Sequence, residues 1–281
     1  FVANLTGLVL SQSLSSIVAI YITIPLLLIP QILLCGLVVK FDDLNPASKT
    51  GNVPVIGEVI PSRWAFEALA VSSYMYNPYM KHFFEDEKEK FRAQYYRLGF
   101  LEELQSQMET AQDEYIKQNA VDPQRLRVIT GGMLKLAEVT GLEPFTYPLD
   151  SWSAELYQTL DGYYKQADKA LSAGSLHYTH AIDRVNRDLL EGMGREGLLT
   201  LKKNNHNLFL QDLVLNTSST RMYRLVDHVI VPRVGQIYLE PSTRDGRAPF
   251  YSHVKILGTW KIPTLWYNLG VLGLMAVLTS L

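Results

Sequence analysis

Two histidines and an aspartate recur every three residues in one part of the chain. His177, His180 and Asp183 fall on one face of a predicted helix, a spacing that could present three ligands to a metal ion. No cysteine and no further group of ligating residues accompanies them, so nothing completes a closed metal site. We interpret the three side chains as a solvated polar face and predict no metal site.

The sequence lacks the motifs by which enzymes hold phosphates or activate a serine. Gly131 and Gly132 are adjacent, but no Lys-Ser or Lys-Thr pair follows them, and G-x-x-x-x-G-K-[ST] is absent. No G-x-S-x-G elbow accompanies the Ser, His and Asp residues. We therefore predict no catalytic residues and no cofactor in this chain. A net charge of −2 without a Lys/Arg block also argues against nucleic-acid binding.

The charged residues are confined to the middle of the chain. All 26 Lys and Arg and all 28 Asp and Glu lie between Lys40 and Lys261. An uncharged apolar run of about 20 residues matches the hydrocarbon thickness of a bilayer when it is helical. We predict a transmembrane span at residues 17–39 and the start of another at 262–281. Because the chain begins at Phe1 and stops within the second run, we expect it to be a fragment of a longer protein.

Prolines and aromatic residues subdivide the first part of the sequence. Pro25 and Pro30 predict a kink in the first span, which neighbouring helices must accommodate. Residues 53–79 are broken by prolines and rich in aromatic side chains, which is typical of a segment at a membrane interface. We predict that this segment forms a short re-entrant pair of helices, covered by protein or lining a cavity.

Helical periodicity dominates the polar middle. An apolar stripe from Phe91 to Tyr115 predicts one long amphipathic helix beginning near Lys81. Asp122 followed by Pro123 predicts the start of the next helix. Two further stripes, at 157–171 and 178–193, predict an antiparallel pair of helices joined by a turn at Gly174, after a loop at 141–149. Residues 228–239 alternate enough to favour a short strand.

Three short motifs carry a resemblance to a known family. They are Cys35-Gly36-Leu37-Val38, the run Pro61-Ser62-Arg63-Trp64-Ala65-Phe66-Glu67-Ala68-Leu69, and Leu265-Trp266-Tyr267-Asn268. In order and spacing they resemble the last part of the permease domain of type-2 ABC exporters, most like the G (White) subfamily. The resemblance covers roughly 70 residues at the start and 20 at the end. Residues 79–258 would then be an enlarged external loop between the fifth and sixth spans, where the family has a modest one.

The resemblance implies roles for particular residues. The end of the fifth span would line the translocation path and form a hydrophobic gate, through Leu33, Leu34, Leu37 and Val38. The re-entrant element would comprise Pro61, Arg63, Trp64, Phe66 and Glu67, with Arg63 and Glu67 anchoring it structurally. The family also implies a dimer of permease halves, and an ATPase domain, in cis or in trans, that uses ATP and Mg.

The predicted fold class is therefore mainly α. It comprises a transmembrane helix end and a kinked span (1–39), a linker with re-entrant helices (40–79), a helical extracytoplasmic domain (80–258) and the start of a final span (259–281). The leading hypothesis is the permease part of an ABC exporter for a lipid-like or hydrophobic substrate. It would be integral to a bacterial inner membrane and in contact with membrane lipids, with residues 40–261 extracytoplasmic and available to a periplasmic partner. The alternatives are a membrane-anchored sensor that binds a ligand, and a periplasmic scaffold.

Overall fold

A computed structural model describes residues 2–44, 48, 51–145 and 152–280. The chain divides into two compact units. Unit 1 comprises Phe1–Asn77, Asn207–Thr217 and Gly235–Leu281, and unit 2 comprises Pro78–His206 and Ser218–Val234. Phe1, Leu281 and residues 146–149 of the predicted loop lie outside the described residues. In sequence, unit 2 is thus inserted between parts of unit 1.

The described residues of unit 1 are mainly helical. Their α-helices are α1 (Val2–Ser13), α2 (Ile17–Leu33), α3 (Phe41–Leu44), α4 (Val55–Glu58), α5 (Pro61–Met75), α10 (Leu208–Leu215) and α11 (Thr264–Ser280). A 3₁₀ turn covers Gln236–Tyr238. Strands β3 (Val254–Leu257) and β4 (Trp260–Pro263) form an antiparallel hairpin with Lys255 opposite Ile262. The hairpin runs directly into α11.

Helix α5 is the centre of unit 1. Pro61 occupies its first turn, where a missing N–H costs nothing. Its buried side chains recur at spacings of three and four, which puts them on one side of the helix; they are Arg63, Trp64, Glu67, Ala68, Ala70, Val71 and Tyr74. Helix α11 packs along α5, and α1 packs on α11. Two of the residues buried on α5 are charged, so this helix carries ionic groups into the interior.

Unit 2 has its own hydrophobic core. Its α-helices are α6 (Phe84–Tyr95), α7 (Leu101–Gln118), α8 (Pro123–Thr140) and α9 (Ala154–Asn205), and its strands β1 (Tyr223–Val226) and β2 (Val229–Pro232) pair antiparallel. A 3₁₀ turn covers Met80–His82 and a π-helical turn covers Tyr96–Phe100. Leu101, Leu104, Met108, Ile129 and Leu160 are among the core residues. The core therefore joins α7, α8 and the first half of α9.

The structure confirms two of the predicted features of unit 2. Asp122 caps α8 by accepting a hydrogen bond from the N–H of Gln124, and Pro123 is the first residue of the helix. Strand β2 falls within the segment predicted to be extended. The predicted amphipathic helix is present but starts at Phe84 and contains the π-helical turn. Because that turn inserts an extra residue into the helical repeat, Leu98 is 53% exposed although the periodicity placed it on the buried face.

The predicted turn at Gly174 is wrong. Helix α9 runs through Gly174, and its regular geometry breaks only at Gly194, where φ is 70° and ψ is 171°. A methyl group at Gly174 would lie 3.9 Å from Cβ of Ala93, an ordinary van der Waals distance, so neither a turn nor close packing requires glycine at this position. The sequence pattern cannot distinguish a glycine that is tolerated within a helix from one that permits a turn.

The prediction of transmembrane helices, and with it the predicted fold class, is wrong. Among the described residues, no helix combines the length and the apolar character needed to cross a bilayer. The apolar runs are longer than the helices they contain, because Leu34 leaves helical geometry, Gly36 has a φ of 92°, and β4 occupies the start of the second run. Helices α2 and α11 each have 17 residues, or about 26 Å of helix, against a hydrocarbon core of about 30 Å.

Two further assignments depended on those helices and are corrected with them. One is the location in a bacterial inner membrane with residues 40–261 on the extracytoplasmic side. The other is the description of the chain as a transmembrane protein. Its function as the permease part of an exporter stays a prediction. The two helices predicted within residues 53–79 correspond to α4 and α5, but their description as re-entrant also required a membrane. What the structure does contain is a mostly helical chain with two small antiparallel hairpins in its described residues.

The adjacent glycines of α8 provide a matched test of core packing. A methyl group at Gly132 would lie 2.6 Å from Cδ1 of the fully buried Leu104, whereas one at Gly131 meets nothing within 4 Å. We expect Gly132→Ala to lower the free energy of unfolding by about 1–3 kcal/mol through overpacking. Gly131→Ala should raise it by about 0.5–1 kcal/mol, because alanine favours helix. Urea unfolding followed by circular dichroism measures both, and equal effects would contradict this packing.

Candidate functional site

The four residues proposed for a gate lie at the end of α2 and just after it. Leu33, Leu37 and Val38 are exposed and Leu34 is half-buried. Gly36 between them is buried, and a methyl group there would lie 2.2 Å from the ring of Phe250. The backbone at Gly36 is thus fixed while the neighbouring apolar side chains point outward. Their role as a gate stays a prediction.

The structure brings three of the five residues assigned to the re-entrant element into the interior of unit 1. Arg63, Trp64 and Glu67 are buried, while Pro61 and Phe66 are half-buried. Phe66 contacts the ring of Tyr251, with 6.2 Å between ring centroids. Arg63 and Glu67 are one helical turn apart on α5, so their side chains lie on the same face. They form the centre of what we call the ionic cluster, whose members are Glu58, Arg63, Glu67, Lys255 and Asn268.

Glu67 is the hub of the ionic cluster. Its Oε1 accepts a hydrogen bond of 2.6 Å from Nζ of Lys255, and its Oε2 accepts one of 2.8 Å from Nδ2 of Asn268. Nη2 of Arg63 lies 3.7 Å from the same Oε2. The side chains of Glu67 and Lys255 are both 0% exposed. A buried carboxylate is thus held by two cations and an amide from three different elements.

Glu58 adds a second carboxylate at the edge of the cluster. Its Oε2 accepts a hydrogen bond of 3.3 Å from Nη1 of Arg63, and its side chain is 20% exposed. The indole N–H of Trp64 donates to the backbone oxygen of Glu58 at 2.8 Å. The guanidinium of Arg63 lies 3.8 Å from the centroid of the Trp64 ring, a cation–π contact. Trp64 therefore fixes both the backbone before α5 and the orientation of Arg63.

Regular secondary structure positions Lys255 and Asn268, which are distant in sequence, next to Glu67. Lys255 is the second residue of β3, and register with β4 fixes it opposite Ile262. Asn268 lies one turn into α11, directly after the hairpin, and its Nδ2 also donates to the backbone oxygen of Trp64 at 3.1 Å. The hydroxyl of Thr264 donates to the backbone oxygen of Ser252, which ties the start of α11 to the residues before β3. The geometry is therefore set by a hairpin and two packed helices.

The surroundings shift the pKa values of Glu58 and Glu67 in opposite directions. Burial raises the pKa of Glu67, but the charges of Lys255 and Arg63, with hydrogen bonds from Lys255 and Asn268, outweigh burial and hold the pKa below its usual range. At Glu58 burial outweighs the attraction of Arg63 and Lys255, so the pKa is raised. The carboxylate of Glu67 is thus stabilised in its ionised form, and Glu58 is the group that takes up a proton more readily.

The ionic cluster suits a structural role better than chemistry on a substrate. Arg63, Glu67, Lys255 and Asn268 are 0–1% exposed, so a substrate has no access to them in this conformation. Removing one partner from a buried ion pair leaves an uncompensated charge, which is strongly destabilising. The cluster can therefore lock together residues that are 188 positions apart in the sequence.

The sequence identified two of the five members of this cluster for a role. Arg63 and Glu67 were identified through the family motif, with an anchoring role. Asn268 was named as the last residue of the third motif but was given no role, and Glu58 and Lys255 were not singled out. Asn268 had a usable signal, since a lone amide in an uncharged apolar run needs a hydrogen-bonding partner. Lys255 had none, because one lysine in a short β-branched stretch has the pattern of an ordinary surface strand.

The remaining candidates form no second site. His177, His180 and Asp183 are exposed on α9, as expected for a solvated face. Across the described ranges, no three His, Cys, Asp or Glu side chains are grouped so that they could hold a metal ion. No family model, curated protein or solved structure matches the chain. The resemblance to exporter permeases therefore stays a prediction that depends on the three motifs alone.

Two lysines of the same hairpin test the energetic role of the cluster. Lys255→Met leaves Glu67 without its closest cation, and we expect a loss of about 3–5 kcal/mol of unfolding free energy. Lys261 pairs with Glu240 at the surface, so Lys261→Met should cost less than about 1 kcal/mol. Chemical unfolding of the two variants measures the difference. Similar small losses in both would show that the buried pair contributes little.

The direction of the Glu67 shift predicts how stability depends on acid. Because the folded-state pKa is lowered, the contribution of Glu67 is fully present above its unfolded pKa of about 4.3 and is lost as the pH falls further. Glu67→Gln should therefore be less stable at pH 7 and should lose less stability below pH 4.3 than the unmodified chain. Thermal melts from pH 3 to 7 measure this, with Glu240→Gln as the surface control. Parallel pH profiles for all three proteins would contradict the assignment.

Proposed function

We propose that this chain is a non-catalytic assembly protein that associates with a second copy of itself through α2. Unit 1 supplies the association surface, and each assembly then carries two copies of the helical unit 2. The observation that supports this proposal is the surface of α2 itself. The ionic cluster contributes by fixing the part of unit 1 to which α2 is attached.

Helix α2 is apolar on every side and has no buried residue. Its large exposed side chains have exposures from 40% to 73%; they are Ile17, Val18, Tyr21, Ile22, Ile24, Leu26, Leu27, Leu28, Ile29, Ile32 and Leu33. A helix that is apolar all round is normally buried. A contiguous apolar surface of this kind on a folded protein marks an interaction site.

The chemistry of this surface favours a second copy as the partner. Residues 1–39 carry no Asp, Glu, Lys or Arg, so two α2 helices meet without repulsion between charges. An interface with two-fold symmetry uses the same patch on both subunits, which an apolar helix satisfies with itself. Association would bury the exposed aliphatic side chains of both copies at once, and burial of apolar area is the main favourable term in association.

The attachment of α2 to unit 1 leaves most of its length free. Near its C-terminal end, the Oε1 of Gln31 accepts a hydrogen bond of 3.1 Å from the N–H of Ser62. The hydroxyl of Ser62 donates to the backbone oxygen of Gln31 at 2.6 Å. Ser62 directly precedes Arg63 of the ionic cluster. The helix is thus fixed at one end to the most strongly connected part of unit 1.

Measurement of the mass in solution tests the proposal. By sedimentation or light scattering, the protein should have a mass twice the 31.8 kDa of one chain. The double variant Leu26→Arg/Ile29→Arg places two charges one turn apart on α2 and should return the mass to that of one chain. Both side chains are at least 55% exposed, so the variant should keep its helical circular dichroism.

A matched control distinguishes a specific interface from nonspecific hydrophobic association. Ile116 on α7 is 70% exposed but belongs to unit 2, so Ile116→Arg should leave the assembled mass unchanged. A single-chain mass for the unmodified protein would refute the proposal. An assembly that persists in the α2 double variant would also refute it, because the interface would then lie elsewhere.

A further inference from the structure

We infer that the ionic cluster binds an internal water molecule, which is a fixed member of the lock between α5, β3 and α11. This site is independent of the proposed self-association. It follows from the hydrogen-bonding capacity of the buried groups.

One buried donor of the cluster lacks an acceptor among the described residues. Nε of Arg63 has no hydrogen-bond partner among the described residues, although the side chain is 1% exposed. Nη2 of the same guanidinium lies 3.7 Å from Glu67, which is an ion pair but longer than a hydrogen bond. The ammonium of Lys255 has three N–H groups, and Glu67 accepts one of them.

Buried acceptors are left over in the same cluster. Oδ1 of Asn268 has no partner among the described residues, while both N–H groups of that amide are used. Oε1 of Glu58 is likewise buried without a described partner. Asn268 and Arg63 both approach the same atom, Oε2 of Glu67. The unsatisfied groups therefore belong to Asn268 and Arg63, which approach Oε2 of Glu67, and to Glu58, which accepts a hydrogen bond from Arg63.

The presence of both an unsatisfied donor and unsatisfied acceptors favours a water molecule over an ion. An anion would satisfy the donors only, and a cation the acceptors only, whereas a water oxygen accepts from N–H groups while its hydrogens donate to oxygens. The two carboxylates and the two cations of the cluster also balance formally, so no net charge draws an ion in. Buried waters in proteins typically make about three hydrogen bonds to otherwise unsatisfied polar groups. Leaving such groups unsatisfied costs about 1–3 kcal/mol each.

The first test uses the unmodified chain labelled with ¹⁵N-arginine. The Nε–H signal of Arg63, assigned by its disappearance in Arg63→Lys, should show NOE and ROE cross-peaks of opposite sign to water, the signature of a held molecule. Arg125 is the matched control, because its Nε donates to Oε2 of Glu114 at 3.2 Å. Its Nε–H should lack this signature. An Arg63 signal that behaves like that of Arg125 would overturn the inference.

A high-resolution crystal structure provides the second test. It should contain an ordered oxygen about 2.7–3.2 Å from Nε of Arg63 and within the same reach of Oδ1 of Asn268 or Oε1 of Glu58. A crystal soaked in bromide should have no anomalous peak at this position. A bromide peak would assign the site to an anion, and a protein acceptor on Nε of Arg63 would remove the need for any ligand. Either result would refute the internal water.

Discussion

The hydrogen bond between the buried carboxylate of Glu67 and the buried ammonium of Lys255 is the constraint on which unit 1 depends. A charge with no access to solvent is tolerated only when it is paired and hydrogen-bonded. Glu67 meets that condition through partners on α5, β3 and α11, which come from opposite ends of the sequence. The position of the hairpin and the register of α11 against α5 are thus tied to a single carboxylate. Replacing the whole set with well-packed apolar residues of equal volume would remove the cost of desolvation. It would also remove the specificity with which these partners pair.

The two units are stabilised by different means. Unit 2 relies on an apolar core between α7, α8 and α9, where fully buried leucines and methionines meet. Its ion pairs, such as that between Arg125 and Glu114, lie at a partly exposed edge. Unit 1 instead places ionic groups inside and large apolar side chains outside, on α2. This inversion is why unit 1, and not unit 2, is the part for which we propose an assembly role.

Much of unit 2 could be predicted from the sequence, because its helices follow the ordinary rules of periodicity and capping. The Asp122 cap and the stripes at 157–171 needed no information about tertiary contacts. No local pattern reports the π-helical turn or the continuous passage of α9 through Gly174, because a glycine is tolerated inside a helix as well as in a turn. In unit 1 the hydropathy of residues 17–39 was clear but its interpretation was wrong, because a count of apolar residues does not reveal that the helix ends at Leu33. The Glu67–Lys255 contact joins residues too far apart for any spacing rule to connect.

That separation has a consequence for the order of folding. Lys255 follows Glu67 by 188 residues, so on a ribosome that adds about 5–20 residues per second the carboxylate precedes its closest cation by roughly 10–40 s. The whole of unit 2 emerges before β3 does, and its core draws only on residues already synthesised. Closure of the ionic cluster is therefore a late event in biogenesis, because Glu67 cannot pair with Lys255 until nearly the whole chain has been synthesised.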